Sequence, residues 1–183
     1  NDLGWEVMGL DVDKGAVNSA LSKGVNVQLG GIESLNKEDM FDMITLNHVI
    51  EHVYNPVELI QECYKRLNPG GKLWIETPNI NSIGLSVYKE YWRGLEPPRH
   101  LILYNEGTLS KLLSDAGFLN INQKMHGLSG VYMGLQSEKN VDGVMSDSRF
   151  LNSAFKWPRI FFVEIVQLLF KNKSEFITLI AYK

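Results

Sequence analysis

A single cysteine, Cys63, in 183 residues excludes an internal disulfide, and its setting in "LIQECYKRL" reads as a helix face rather than a redox or metal site. A reducing compartment follows as the expectation, and the chain reads as cytoplasmic. Basic clusters are also lacking: 18 Lys and Arg stand against 21 Asp and Glu with no basic run, which argues against nucleic acid as a partner. Long apolar runs are missing too. The most apolar segment, "WPRIFFVEIVQLLF" from Trp157 to Phe170, holds Arg159 and Glu164 and falls short of the ~20 residues that span a bilayer, so no transmembrane segment is expected. The opening "NDLGWEVMGLD" has neither the basic start nor the apolar stretch of a secretory signal. What is present is 44% hydrophobic content in a length typical of one domain, so residues 1–183 are read as a single domain with a sizeable core.

Along the chain, short apolar runs alternate with helical patterns, which predicts an α/β fold with a mainly parallel sheet and helices on both faces. "EVMGLD" reads as the first strand, "DKGAVNSALSKG" as a helix stopped at Gly24, "VNVQL" as a strand, and "FDMITLN" as a strand covered on both faces. "NPVELIQECYKRLNPGG" predicts a helix with Pro56 in its first turn and a stop at Asn68 to Gly71. "KLWIETPN" is the next strand, and the aromatic stretch "INSIGLSVYKEYWRGLEPPRHLILY" a long functional connection. "NEGTLSKLLSDAGF" then predicts a helix and "FLNINQKMHG" a strand. Residues 128–172 are read as an insertion before the last strand: a flexible segment over Leu128 to Asp147, then an apolar helix from Ser148 to Phe170, bent at Pro158. "EFITLIAYK" closes the chain as an antiparallel strand.

In such a sheet the ligand-binding residues stand at the carboxyl ends of the strands. Asp11 ends the first strand, where a carboxylate accepts hydrogen bonds from both hydroxyls of a ribose; Asp13 competes for that role but occupies a helix N-cap position. After the second strand, Gly31 permits close backbone approach and Ile32 offers an apolar face to a flat ring. After the third come Asn47 and His48 at the tip and Glu51 and His52 in the following turn. His48 and His52, four apart, also read as a metal pair, but no third ligand is evident in the sequence, and no metal is expected.

The segments "VMGLDVDKGAV", "FDMITLNHVIEHVYNPVELIQECYKRLNPGGKLWIETPN" and "WRGLEPPRHLILYNEGTLSKLLSDAGF" resemble the class I S-adenosylmethionine-dependent methyltransferases, in the small-molecule branch that includes the ubiquinone-biosynthesis O-methyltransferases. The resemblance covers about two-thirds of the chain, and its most specific part is the long central block with "EH" after one strand and "LNPGG" before the next. It implies a Rossmann-like sheet, S-adenosylmethionine as cofactor and methyl transfer to a small-molecule acceptor, a hydroxyl before nitrogen or carbon. Carried over by position, it makes Asp11 the ribose ligand, Val12 an adenine neighbour, Ile32 and Glu33 the residues flanking adenine, and Asn47 and His48 the lining of the methionine part. Many relatives have an Asp where this chain has Gly31, so Glu33 or a backbone group is expected to serve the adenine instead.

The resemblance also implies a further strand and a glycine-rich loop of the type "LDIGCGxG" ahead of the Asp11 strand. The chain does not contain them, and it reads as truncated at its amino end, with cofactor affinity expected to suffer. That strand would lie between the Asp11 strand and the Phe41 strand, so the two edges facing its place are expected to be paired by direct closure or by strand exchange with another copy.

Methyl transfer from a sulfonium is a direct displacement, and a base is needed only for a hydroxyl acceptor. His100 in "EPPRHL" and His48 are the candidate bases, the alternative for His100 being to tie its loop down through Glu96 or backbone carbonyls. Tyr88, Tyr91 and Trp92 are either an apolar wall for the acceptor or ordinary core aromatics. The 157–170 helix is a lid, a membrane-surface helix, or a core or dimer element; its apolar residues nearly encircle it, which favours burial. A homo-oligomer would form through sheet edges or through this helix. Two rival functions stand beside the enzyme: a non-catalytic domain that keeps the fold for binding or assembly, and a nicotinamide-dependent dehydrogenase, against which the "EH" and "LNPGG" block argues.

Overall fold

The computed structural model describes residues 4–124, 129–144 and 149–183, of which 142–144 and 149–155 are described by backbone alone. Strand β1 (Gly9–Asp11) runs into α1 (Lys14–Ser22), whose first turn is capped by the Asp13 carboxylate accepting from the Ala16 N–H at 2.7 Å. Strand β2 (Val27–Leu29) follows, then a 3-10 turn at Ile32–Ser34, then β3 (Phe41–Asn47). A second 3-10 turn, Ile50–His52, leads to α2 (Pro56–Arg66), with Asn55 as N-cap and Pro56 at its start. Strand β4 (Leu67–Pro78) is the longest. The aromatic connection contains α3 (Ile83–Tyr88) and a 3-10 turn at Lys89–Tyr91, followed by α4 (Glu106–Asp115) and β5 (Leu119–Lys124). Helices α5 (Ser129–Val144) and α6 (Arg149–Leu169), a 3-10 turn at Lys171–Lys173 and β6 (Phe176–Tyr182) complete the chain.

The strands fall into two sheets. β1 and β2 form a parallel pair, and the other four lie in the order β3-β4-β6-β5, with β3 and β4 parallel and β6 antiparallel to both of its neighbours. The expected direct closure between the Asp11 strand and the Phe41 strand does not occur: among the described residues β1 pairs only with β2. The β1–β2 pair is held to the larger sheet instead through the loop after β2. There the Arg66 guanidinium of α2 donates to the carbonyls of Asn36 at 2.5 Å and Leu35 at 3.4 Å, and Ile32 packs against the core.

Two apolar clusters form the core, the larger one on the four-stranded sheet and the smaller one reaching it through Phe176. One joins Leu73 and Ile75 of β4 and Ile177 and Leu179 of β6 to Ile60 and Cys63 of α2 and Leu109 and Leu113 of α4. Burial pushes the Cys63 thiol up to about 12, consistent with an inert core thiol. The other cluster gathers Tyr88, Trp92, Met133, Val141 and Val163 under α3, α5 and α6.

Three expectations change. β4 begins at Leu67, because pairing resumes at once: Phe41 faces Leu67 and Met43 faces Lys72, so Asn68 to Gly71 bulge from the strand rather than precede it. Over the expected flexible segment lies helix α5. A Cβ on Gly134 would stand 2.9 Å from Ile160 Cγ1, and one on Gly130 2.7 Å from Glu164 Oε2, so its glycines serve close helix contact and mask the helical pattern. Helix α6 runs on through Pro158, and it is not buried all round, because Trp157, Phe161, Phe162, Ile165, Leu168 and Leu169 are exposed.

Candidate active site

The tip of β3 and the turn after it gather several titratable side chains. His48, immediately after the strand, adopts a left-handed backbone (φ 51°), which His tolerates better than most residues, and its N–H bonds the Glu76 carbonyl of β4 at 3.0 Å. The turn brings the ring between two carboxylates: Nδ1 lies 3.3 Å from Glu51 Oε1 and Nε2 3.6 Å from Glu76 Oε1. Its hydrogen bond with Glu51 raises the His48 pKa above the ordinary histidine value against the opposing effect of burial. Burial pushes the Glu51 carboxyl up, but hydrogen bonds from His48 and from Thr77 Oγ1, the latter at 2.9 Å, outweigh it and leave Glu51 below the usual carboxylate range. Glu76 accepts from Thr178 Oγ1 of β6 at 2.7 Å, so the cluster is braced by three strands.

The aromatic connection delivers the rest. The Leu101 N–H bonds the Glu51 carbonyl at 2.7 Å, which lays the "EPPRHL" loop over the turn after β3. His52 and His100 then meet with ring centroids 4.8 Å apart. His52 Nδ1 lies 2.8 Å from the Arg99 carbonyl oxygen and His100 Nδ1 2.7 Å from that of Gly94. A carbonyl only accepts, so each Nδ1 carries the proton and each Nε2 keeps its lone pair while the ring is neutral. Glu96 Oε2 lies 3.7 Å from His100 Nε2; burial pushes this carboxyl up, and Arg93 and Arg99 beside it bring it below the usual range. One ligand atom from each of Glu51, His52 and His100 lies within 4.8 Å of the others, a separation that one divalent cation could span. This trio leaves out His48 of the expected His48/His52 pair: Glu51 stands in its place, and His100 comes from 48 residues downstream of His52.

The other expected site residues are more scattered. Asp11 is exposed at the end of β1, accepts the Asp13 N–H at 2.8 Å on Oδ1, and enters no ion pair among the described residues. Val12 is open to solvent, Ile32 is partly buried against the core, and Asn47 is exposed at the tip of β3. Glu33 folds back so that Oε1 accepts the Gly31 N–H at 3.0 Å, and a Cβ on Gly31 would collide with that carboxylate. Tyr88 and Trp92 are core side chains, while Tyr91 is half-buried. The Trp92 indole donates to Glu175 Oε2 at 2.6 Å, and the Gly84 N–H donates to Glu175 Oε1 at 2.8 Å. Sequence reasoning placed Glu51 beside His48 and offered Glu96 or a backbone carbonyl as the tie for the His100 loop, both of which the structure shows beside these rings, but it missed Glu76 and Glu175. His126 lies outside the described residues.

The family described as methyltransferase domain matches residues 1–123. A probable S-adenosylmethionine-dependent methyltransferase of Mycolicibacterium smegmatis is 30% identical over 120 residues, 64% of this chain and 45% of that protein. The ubiquinone biosynthesis O-methyltransferase of Pseudomonas fluorescens is 34% identical over 86 residues, 43% of this chain and 37% of that protein. The chain thus spans less than half the length of these relatives. In fold it is similar to a SAM-dependent methyltransferase from Archaeoglobus fulgidus, with a TM-score of 0.63 at 18% identity over 100% of this chain and 78% of that one. It is also similar to phosphoethanolamine N-methyltransferase 2 of Haemonchus contortus, solved with S-adenosyl-L-methionine, with a TM-score of 0.60 at 18% identity over 98% of this chain and 44% of that one.

Proposed function

The chain belongs to the methyltransferase-domain family of class I S-adenosylmethionine-dependent enzymes, and from that premise we propose that it transfers the sulfonium methyl to a hydroxyl of a small-molecule acceptor. The observation that carries the hydroxyl is the fixed tautomer of His100: with Nδ1–H held by the Gly94 carbonyl, Nε2 is the basic atom, and Glu96 stands where it would stabilise the imidazolium. The acceptor oxygen attacks the methyl carbon, the carbon–sulfur bond breaks to leave S-adenosylhomocysteine, and the hydroxyl proton passes to His100 Nε2. His48, clasped by Glu51 and Glu76, serves as a charged positioning group rather than as the base. Asp11 holds the ribose diol, and Val12, Ile32 and Asn47 line the cofactor. The Glu33 carboxylate already caps Gly31, so backbone groups meet the adenine.

A second reading keeps the reaction and replaces the base. A divalent cation on Glu51, His52 and His100 would polarise the hydroxyl and lower its pKa, as the separation of their ligand atoms favours.

Calorimetric titration with S-adenosylhomocysteine, on the chain and on a form extended at its amino end, tests the cofactor. Asp11→Ala is expected to weaken binding by at least about a hundredfold, the worth of two charge-assisted hydrogen bonds, without moving the melting temperature. No binding by either form favours the non-catalytic alternative. Turnover that survives a chelator removes the metal reading, and turnover untouched by His100→Ala removes the base.

A further inference from the structure

Over its second half helix α6 is apolar on its outward face as well as at the fully buried Ile160 and Val163. Its polar side chains point into the protein: Gln167 accepts from Ser129 Oγ at 2.7 Å and donates to Glu164 at 2.6 Å, Glu164 accepts the Val131 N–H at 3.0 Å, and Arg159 makes a two-point contact with buried Glu138 at 2.8 Å. Its outward face is formed by Trp157, Phe161, Phe162, Ile165, Leu168 and Leu169, each more than half exposed. A helix that only packs on a core turns its apolar stripe inward and its polar residues out, so this face has an occupant.

Charge says which. From Arg149 to Lys173 the sequence carries five basic residues, Arg149, Lys156, Arg159, Lys171 and Lys173, against one acidic residue, Glu164, in a chain whose net charge is −3. Glu164 is buried; in the chain Lys156 precedes the apolar residues, and Lys171, whose ammonium donates to the Gln123 carbonyl at 2.6 Å, and Lys173 follow them. A second copy seated on this face across a two-fold axis would bring lysine against lysine in either helix direction, with no exposed carboxylate of α6 to answer them. A surface of anionic phosphates over hydrocarbon matches both the apolar face and its cationic ends. No helix among the described residues is long and apolar enough to cross a membrane, so the match is to lying on a bilayer. We propose that α6 docks the protein on an anionic lipid surface, its aromatic and aliphatic face buried at the headgroup boundary and its lysines on the phosphates.

The consequence for the site follows from the chain path. α6 leads through the Lys171–Lys173 turn into β6, whose first residue, Phe176, stacks edge-on against His48 with centroids 5.0 Å apart. A docked α6 therefore brings the tip of β3 near the lipid surface. The proposal does not depend on methyl transfer.

Vesicle flotation of the full chain tests it, with phosphatidylcholine alone and with added phosphatidylglycerol. Binding is expected on the anionic vesicles and to weaken with salt. The exposed double substitution Phe161→Glu/Ile165→Glu is expected to weaken binding at least about tenfold, and Lys171→Glu/Lys173→Glu about tenfold on anionic vesicles only, with unchanged circular dichroism. No flotation with either vesicle overturns the proposal. So does concentration-dependent dimerisation that Phe161→Glu/Ile165→Glu abolishes while vesicle binding is absent, because the occupant is then a second copy.

Discussion

Leu73 and Ile75 of β4 have no solvent contact, whereas Leu29 of β2 is 49% exposed and Trp5 and Val7, just before β1, are more exposed still. Both regions are strand and helix units of the same α/β pattern, and their difference lies in what covers them. β4 has a strand on each side and buries Leu73 and Ile75 in the larger apolar cluster, while among the described residues β1 and β2 pair only with each other and lean on α1 and the turn after β2. Neither strand contributes a residue to either cluster. The proposed cofactor site is thus divided between a region with its own core, which carries the histidine cluster, and a small pair, which carries Asp11 and is attached chiefly through Arg66 and Ile32. Rigidity at one half of the site does not guarantee it at the other.

The largest expected effect sharpens this contrast. Leu73→Ala removes buried methyl groups where strands on both sides prevent collapse, and it is expected to cost about 2–5 kcal/mol. Leu29→Ala at its exposed position is expected to stay within about 0.5 kcal/mol. Urea unfolding of the two variants measures both, and equal losses would mean that β2 shares the core after all.

The contrast also explains what could be read in advance. "FDMITLN" is legible because a strand covered on both faces needs continuous apolarity, and β3 spans those residues. Asp13 as N-cap and Pro56 at a helix start are legible because they act locally. α5 is not, since its glycines and inward polar side chains answer to α6, which the sequence of α5 alone does not contain. His48, His52 and His100 are visible as residue types at strand ends and in a loop. The His48–Glu51 and His100–Glu96 pairs are local, whereas the Glu76 contact and the meeting of His52 with His100 join separated segments and need the fold.

Within the larger unit, Trp92→Phe is expected to cost about 1–3 kcal/mol, because it strips one hydrogen bond from the fully buried Glu175. Burial pushes the Glu175 carboxyl up to about 7 from an ordinary value of 4.5. The folded state therefore holds this proton more tightly than the unfolded chain, so the stabilisation is complete below 4.5 and is lost as pH rises through about 7. Trp92 favours the charged form, so its removal is expected to move that loss to higher pH in thermal melts recorded across the neutral range. An unshifted profile would mean that the indole does not bond the carboxylate.

The smallest effect concerns the boundary between packing and chemistry at the tip of β3. The hydrogen bond with Glu51 raises His48, so its stabilisation is present below the unfolded value of 6.5 and is lost as pH rises through the folded one. Glu51 is lowered, so its share is present above 4.5 and is lost as pH falls. The pair is therefore most effective between about 4.5 and 6.5. Glu51→Gln is expected to drop the His48 titration toward 6.5 in proton NMR and to flatten stability in that window, with only a small change near pH 8. Because His48 is 44% exposed, solvent screens part of the interaction, and the titration reports the contact more directly than any melt. A His48 that titrates identically in both proteins would assign its perturbation to Glu76 and move the brace of the site from the turn after β3 to the tip of β4.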